Sequence, residues 1–210
     1  MTEYRVAAEV YSVWLMPEPV WQRTFTAAVR DLAARFGAPV FEPHLTLIGG
    51  RPFDRADLDR RVAQALPGTA PIAQPIRDVV TGEAYFRSFF ALFAAEGPLL
   101  ELKHRVDRAV LGAAARDFMP HVSLLYGAAE PKAKAVAAAD YRAAMTGLTV
   151  RFERVEIVRS GDEVPIEQWQ SVAAFPFRRQ GNYDRRHEKI IDTAPKRRRI
   201  PDMRLAGRGR

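Results

Sequence analysis

Two short segments repeat one pattern, Pro43-His44-Leu45-Thr46-Leu47 and Pro120-His121-Val122-Ser123-Leu124. Each places an imidazole two residues before a hydroxyl, with aliphatic residues between and after. Successive side chains on a β-strand face opposite ways. Each His therefore shares a face with its Thr or Ser, while Leu45/Leu47 and Val122/Leu124 face a core. Imidazole ordinarily titrates near pH 6.5, so it moves protons readily at neutral pH. One neutral and one protonated ring can take a proton from an attacking water and give one to a leaving oxygen. Two hydroxyls can donate to the non-bridging oxygens of a phosphate, where negative charge must be held. Set side by side, two such strands supply what hydrolysis of a phosphate ester without a metal or other cofactor requires.

Rival chemistries are less well served. Two His can seed a zinc site, but a third ligand is usually needed. The chain has no cysteine, neither motif contains a carboxylate, and the nearby Glu42 lies outside the pattern. A nucleophilic Ser123 lacks the Gly-x-Ser-x-Gly frame of a nucleophile elbow. The other two histidines read as inert: His104 sits in a helical stretch between Lys103 and Arg105, on an expected surface face, and His187 lies in a basic tail.

The elements that must position the two motifs follow from periodicity and from Gly and Pro. Arg5 to Leu15 alternates as a strand. A helix from Glu18 to Phe36 stops at Gly37, and the first His strand runs from His44 to Gly49. Asp54 caps a helix to Leu66, and a strand covers Ile76 to Thr81. The order then restarts. A strand spans Tyr85 to Ala94, a helix runs from Gly97-Pro98 to about Arg116, and the second His strand covers Met119 to Tyr126. A helix over Pro131 to Met145 and strands over Leu148 to Arg159 and Gln168 to Phe175 complete it. Each half reads strand, helix, His strand, helix, strand. The expected fold is α+β: a bilobal, pseudo-two-fold duplication with antiparallel sheets lining a central cleft and helices outside. The lobes are roughly 1–82 and 83–177, with strands possible in exchange between them.

The formal charge of +7 is unevenly placed. Residues 178–210 hold 12 Lys/Arg and 4 Asp/Glu, a net of +8, which leaves 20 and 21 in residues 1–177, a net of −1. With few large apolar side chains, that tail cannot offset its ordering entropy and is expected to be mostly disordered. It is either a solvated extension or a contact for RNA. The start of the chain carries no secretory signal pattern, and no apolar run is long enough to span a bilayer. With no cysteine, the expectation is a cytoplasmic protein, away from membranes and monomeric.

The paired motifs, 77 residues apart in two repeated halves, resemble those of the 2H phosphoesterase superfamily. Within it the chain is most similar to the cyclic phosphodiesterases of the plant and yeast type. The resemblance is carried by Val10-Tyr11-Ser12-Val13-Trp14-Leu15, by Pro43-His44-Leu45-Thr46 and by Met119 to Tyr126, and it extends through Gln168-Trp169 to about Phe175. It implies metal-independent hydrolysis of a ribose cyclic phosphate. The small nucleotide would be a nucleoside 2′,3′-cyclic phosphate opened to the 2′-phosphate, or ADP-ribose 1″,2″-cyclic phosphate. It further implies His44 and His121 as the acid/base pair; the residues themselves leave open which is base and which is acid, and by analogy with the family His121 would activate water and His44 protonate the leaving oxygen. Thr46 and Ser123 become phosphate anchors, and Tyr126 a further contact to phosphate or ribose. Trp14 and Phe86 are candidates to stack on a base, with core packing as the alternative for both, whereas Trp21 and Trp169 are assigned to packing. Two alternatives stand beside hydrolysis: RNA-end processing or 2′-5′ RNA ligase-like activity by the same residues, and a non-catalytic nucleotide- or RNA-binding module.

Overall fold

Alternation on the first strand sets the architecture. On β1 (Val10–Pro17), Tyr11, Val13 and Leu15 face the main core, while Ser12, Trp14 and Met16 face the other way, and all six are buried. A strand buried on both faces lies between a helical layer and something else, which here is a cleft. The computed structural model of the protein describes residues 9–178, with the exception of Arg116. The basic tail from 179 onward, with His187, lies outside the described residues.

Four helices are described. α1 (Pro19–Phe36) ends where Gly37 takes a left-handed φ of 64°, and its N–H returns to the Ala33 carbonyl, a turn that favours glycine. α2 (Arg55–Ala65) starts at Asp54, whose carboxylate accepts from the Asp57 N–H at 2.8 Å. α3 (Gly97–Leu111) stops short of the expected Arg116 because Gly112 closes it at φ 84°. α4 spans Pro131–Met145. Lys103, the neighbour of His104 on α3, is not on a solvated face. It is buried and bonded to Asp107, one turn on, at 2.5 and 2.6 Å, and Asp107 also accepts from the Ala115 N–H at 3.0 Å. The pair thus fastens the chain that leads from α3 toward the second His strand.

The remaining strands are β2 (Leu45–Pro52), β3 (Ile72–Thr81), β4 (Phe89–Phe93), β5 (His121–Leu125), β6 (Thr149–Arg159) and β7 (Gln170–Pro176). All pairings among the described strands are antiparallel. The order is β1-β2-β5-β4-β3-β6-β7, and β1 also pairs β6, so six strands close into a barrel with β7 added on β6. This corrects the expectation of separate sheets. β6 is 11 residues long; one edge meets β1, while the other meets β3 with its first part and β7 with its second. The closure is thinnest between the two His strands, which share a single registered pair, Leu45↔Val122. Both residues are fully buried beneath the helices. Truncating either to Ala would cost about 2–5 kcal/mol by the usual measure of core cavities and would loosen the junction that sets the motifs' spacing.

The segment expected as one strand over Tyr85 to Ala94 divides. Tyr85–Arg87 forms a 3-10 turn, and the strand begins only at Phe89. Gly82 explains why the chain turns here: its N–H donates to the Ser88 carbonyl at 3.0 Å, and a Cβ at position 82 would fall 2.4 Å from the Arg87 carbonyl oxygen.

Candidate active site

The pair Leu45↔Val122 decides what the cleft contains. In an antiparallel ladder, residues on either side of a facing pair turn to the opposite face. His44 and Thr46 on one strand, and His121 and Ser123 on the other, therefore emerge together on the side away from the core. They line a cleft of about 230 Å³, joined by Trp14, Phe86 and Tyr126. All seven residues singled out in the sequence are brought to one place.

The two motifs share more than their spelling. Thr46 faces Trp14 across β1–β2, with a bulge at Leu47, and Ser123 faces Phe90 across β4–β5, with a bulge at Leu124. Such bulges bend a strand and re-aim its side chains. His44 Nδ1 lies 2.7 Å from the carbonyl of Glu42, and His121 Nδ1 lies 2.8 Å from that of Met119. A carbonyl oxygen only accepts, so each Nδ1 carries the proton and each Nε2 is left free for chemistry. Glu42 thus serves through its backbone rather than its carboxylate.

The surroundings of the rings differ. His44 is 6% exposed and stacks flat on Trp14, with centroids 3.4 Å apart and planes 5° from parallel. Burial drives its pKa down to about 3, against the pull of the Glu42 carbonyl, and His121 lowers it further. His121 is half-buried, with Phe90 edge-on at 5.1 Å. Its pKa is also lowered, first by burial and then by the Arg87 guanidinium, and the Met119 carbonyl opposes both. Both imidazoles are therefore neutral at neutral pH, and a proton enters the pair only with a compensating anion.

The hydroxyls lie on the same cleft wall as the imidazoles. Ser123 Oγ donates to the Phe86 carbonyl at 2.8 Å and is in hydrogen-bonding contact with the Tyr126 hydroxyl. Burial pushes the Tyr126 phenol up, so it remains a neutral donor. Its ring stacks on Phe41 at 3.6 Å, which fixes its direction. Thr46 is half-buried on the cleft face, with no hydrogen-bond partner for its hydroxyl among the described residues.

Several placements differ from expectation. Trp14 is 3% exposed and is the platform under His44, so that face is closed to a base. Phe86 lies on the 3-10 turn rather than on a strand and is half-buried at the cleft. Trp169, assigned to packing, lines the cleft. It stands edge-on to Trp14 at 5.6 Å and nearly parallel to Phe86 at 6.2 Å. Trp21 packs against Phe25 as expected, and His104 is half-buried on α3 and absent from the cleft lining.

Sequence reading also missed Ser12, Arg87, Ser160, Gly161 and Asp162 on the cleft wall. Ser12 was within reach of the alternation argument, since it shares the Trp14 face. Ser12 Oγ donates to the Ser160 carbonyl at 3.2 Å and ties the β6–β7 connection to β1. Gly50 lets that connection close in, because a Cβ there would fall 2.6 Å from Gly161 Cα. Among the described residues no three His, Cys, Asp or Glu side chains gather as a metal would need. No described helix is long and apolar enough to cross a membrane.

Comparison with known proteins matches this architecture. The family profile of the 2′-5′ RNA ligase superfamily matches residues 16–163. A relative named cyclic phosphodiesterase from Arabidopsis thaliana is 25% identical over 172 residues, spanning 80% of this chain and 95% of that protein. E. coli LigT, solved with 3′-AMP, superposes with a TM-score of 0.55 at 12% identity, covering 80% of this chain and 98% of LigT. A structure from Thermus thermophilus gives 0.53 at 20% identity, covering 81% and 99%. The two structural likenesses speak to the fold.

Proposed function

The chain belongs to the 2′-5′ RNA ligase superfamily, and on that premise we propose that it hydrolyses a cyclic phosphate on a ribose without a metal. The observation that carries the reading is the convergence of His44, Thr46, His121 and Ser123 around the single pair Leu45↔Val122. The name of the Arabidopsis relative, cyclic phosphodiesterase, points to the same reaction.

In this reading water attacks the phosphorus of a nucleoside 2′,3′-cyclic phosphate. The bond to the 3′ oxygen breaks, and the product is the 2′-phosphate. His121 takes the proton from water, and His44 delivers one to the departing oxygen. The guanidinium of Arg87 favours a neutral His121, which is the form a base needs. His44 acquires its proton together with the phosphate monoanion, which supplies the counter-charge that burial otherwise denies it. Thr46, Ser123 and Tyr126 donate to the phosphate oxygens as charge builds there. Phe86, half-exposed and nearly parallel to Trp169, offers a face for the base. ADP-ribose 1″,2″-cyclic phosphate presents the same ester to the same groups.

The catalytic unit is assigned to residues 1–177. We read it as two halves, 1–82 and 83–177, each contributing one His strand, with β3 and β6 exchanged. The barrel order maps onto itself when β1, β2 and β3 are swapped with β4, β5 and β6, which supports that reading. Action on RNA ends is the second reading, favoured by the net +8 of residues 178–210. Removing them would then weaken RNA binding and flatten its salt dependence. The hydrolytic reading is tested by incubating each nucleoside 2′,3′-cyclic phosphate with the full chain in EDTA and separating the products. It predicts the 2′-monophosphate, and binding of that product with no turnover of any cyclic phosphate would replace it with a binding module.

A further inference from the structure

Among the described residues the cleft holds one fixed positive charge. Of the described residues that line it, only Arg87 is a lysine or arginine, and the histidines are neutral until a ligand arrives. No carboxylate or carbonyl engages its guanidinium among the described residues. Asp162, the only carboxylate among the described lining residues, does not pair with it. Arg87 is exposed, outside the group of four that surrounds Leu45↔Val122.

Its backbone, in contrast, is held firmly. The Arg87 N–H donates to Ala84 at 2.9 Å, the Gly127 N–H donates to the Tyr85 carbonyl at 3.0 Å, and Ser123 Oγ donates to the Phe86 carbonyl. Behind the turn, the buried Lys134 ammonium donates to the Gly82 carbonyl at 2.8 Å and to Ser88 Oγ at 3.3 Å. The turn is thus bonded on one side to a phosphate anchor and on the other to α4. A free guanidinium on so rigid a base, beside a site for one phosphate, suits a second phosphate, which its planar fork can meet with two parallel hydrogen bonds.

We propose that Arg87 is a specificity-determining residue that engages a second phosphoryl group on the substrate, carried by the 5′ oxygen of the ribose whose cyclic phosphate is opened. The inference rests on the hydrolytic reading for its substrate and adds the class of that substrate. Chemistry selects the 5′ position. In a 2′,3′-cyclic ester the base occupies C1′ and both secondary oxygens are in the ring, so the 5′ oxygen alone remains to carry a further phosphate.

The test measures binding as well as turnover. By calorimetry, the wild type should bind a nucleoside 2′,5′-bisphosphate roughly tenfold more tightly than the 2′-monophosphate, the return expected of one exposed charge-assisted contact. Arg87→Gln should bring the two affinities within about twofold of each other, and Arg87→Lys should restore part of the preference. In kinetics, the ratio of kcat/KM for 5′-phosphorylated over 5′-hydroxyl cyclic phosphates should collapse in Arg87→Gln, chiefly through KM. A dinucleotide ending in a cyclic phosphate separates the sources. If it shares the preference, a 5′ diester is accepted, and if it does not, a terminal phosphate or diphosphate is meant. An unaltered preference in Arg87→Gln overturns the proposal, as does equal loss for both ligands, which would place Arg87 on the reacting phosphate. The binding arm needs no turnover, so absence of hydrolysis would refute the reaction while leaving the role of Arg87 readable.

Discussion

Replacing His44 by Gln removes a buried titratable group whose folded and unfolded proton affinities differ widely. Unfolded, the imidazole titrates near 6.5; folded against Trp14, it titrates near 3. The unfolded chain therefore binds more protons than the folded one between those values. Stability attributable to neutral His44 is intact above pH 6.5, falls as the pH drops below it, and stops falling below about 3. Each pH unit in that window is worth about 1.4 kcal/mol, so from pH 7 to pH 4.5 this one group costs the wild type about 3 kcal/mol. Gln cannot titrate and loses nothing on this account. Urea unfolding of wild type and His44→Gln at half-unit steps from pH 4.5 to 8 isolates the effect, because other titrating groups are common to both. The difference in stability, wild type minus variant, should shrink by about 3 kcal/mol toward the acid end. Parallel curves would refute the reasoning, since His44 would then accept its proton in the folded state near the ordinary value.

The same neutrality bears on the proposed two-histidine reaction. Catalysis needs one proton on the histidine pair, and both members are lowered, so the pH optimum of kcat/KM should lie below 6.5; an optimum above 7 contradicts this. Thr46→Val and Ser123→Ala should each lower kcat about a hundredfold or more, the usual loss for one donor to a developing charge, and steady-state kinetics on a cyclic phosphate reads it. Asp107→Ala leaves the Lys103 ammonium buried without its partner and should cost about 3–5 kcal/mol in urea unfolding. A loss under 1 kcal/mol would mean that Lys103 reaches water.

How much of this was legible in the sequence differed by residue. The convergence of His44, Thr46, His121 and Ser123 on one cleft was readable because a two-residue spacing on a strand fixes a shared face, and two copies of one pattern in repeated halves point to neighbouring strands. Gly37, Asp54 and Pro131 announced helix ends through local backbone chemistry. Barrel closure was not readable, because the pairing of β1 with β6 joins residues about 140 apart in sequence and leaves no periodic trace. Arg87 and Asp162 were missed because they lie on connections between strands, where no alternation assigns a face. Trp14 lies under His44 and Trp169 lines the cleft for a reason composition does not carry. An aromatic on a strand buries itself against whatever the fold presents, and here β1 presents His44.

Phosphorus NMR of the full chain in EDTA tests the central claim most directly, with a nucleoside 2′,3′-cyclic phosphate as substrate and His44→Ala and His121→Ala beside the wild type. Two-histidine catalysis predicts conversion of the cyclic-ester resonance to that of the 2′-monophosphate by the wild type and in neither variant. Conversion that persists in either variant, or that yields the 3′-monophosphate, would contradict the account.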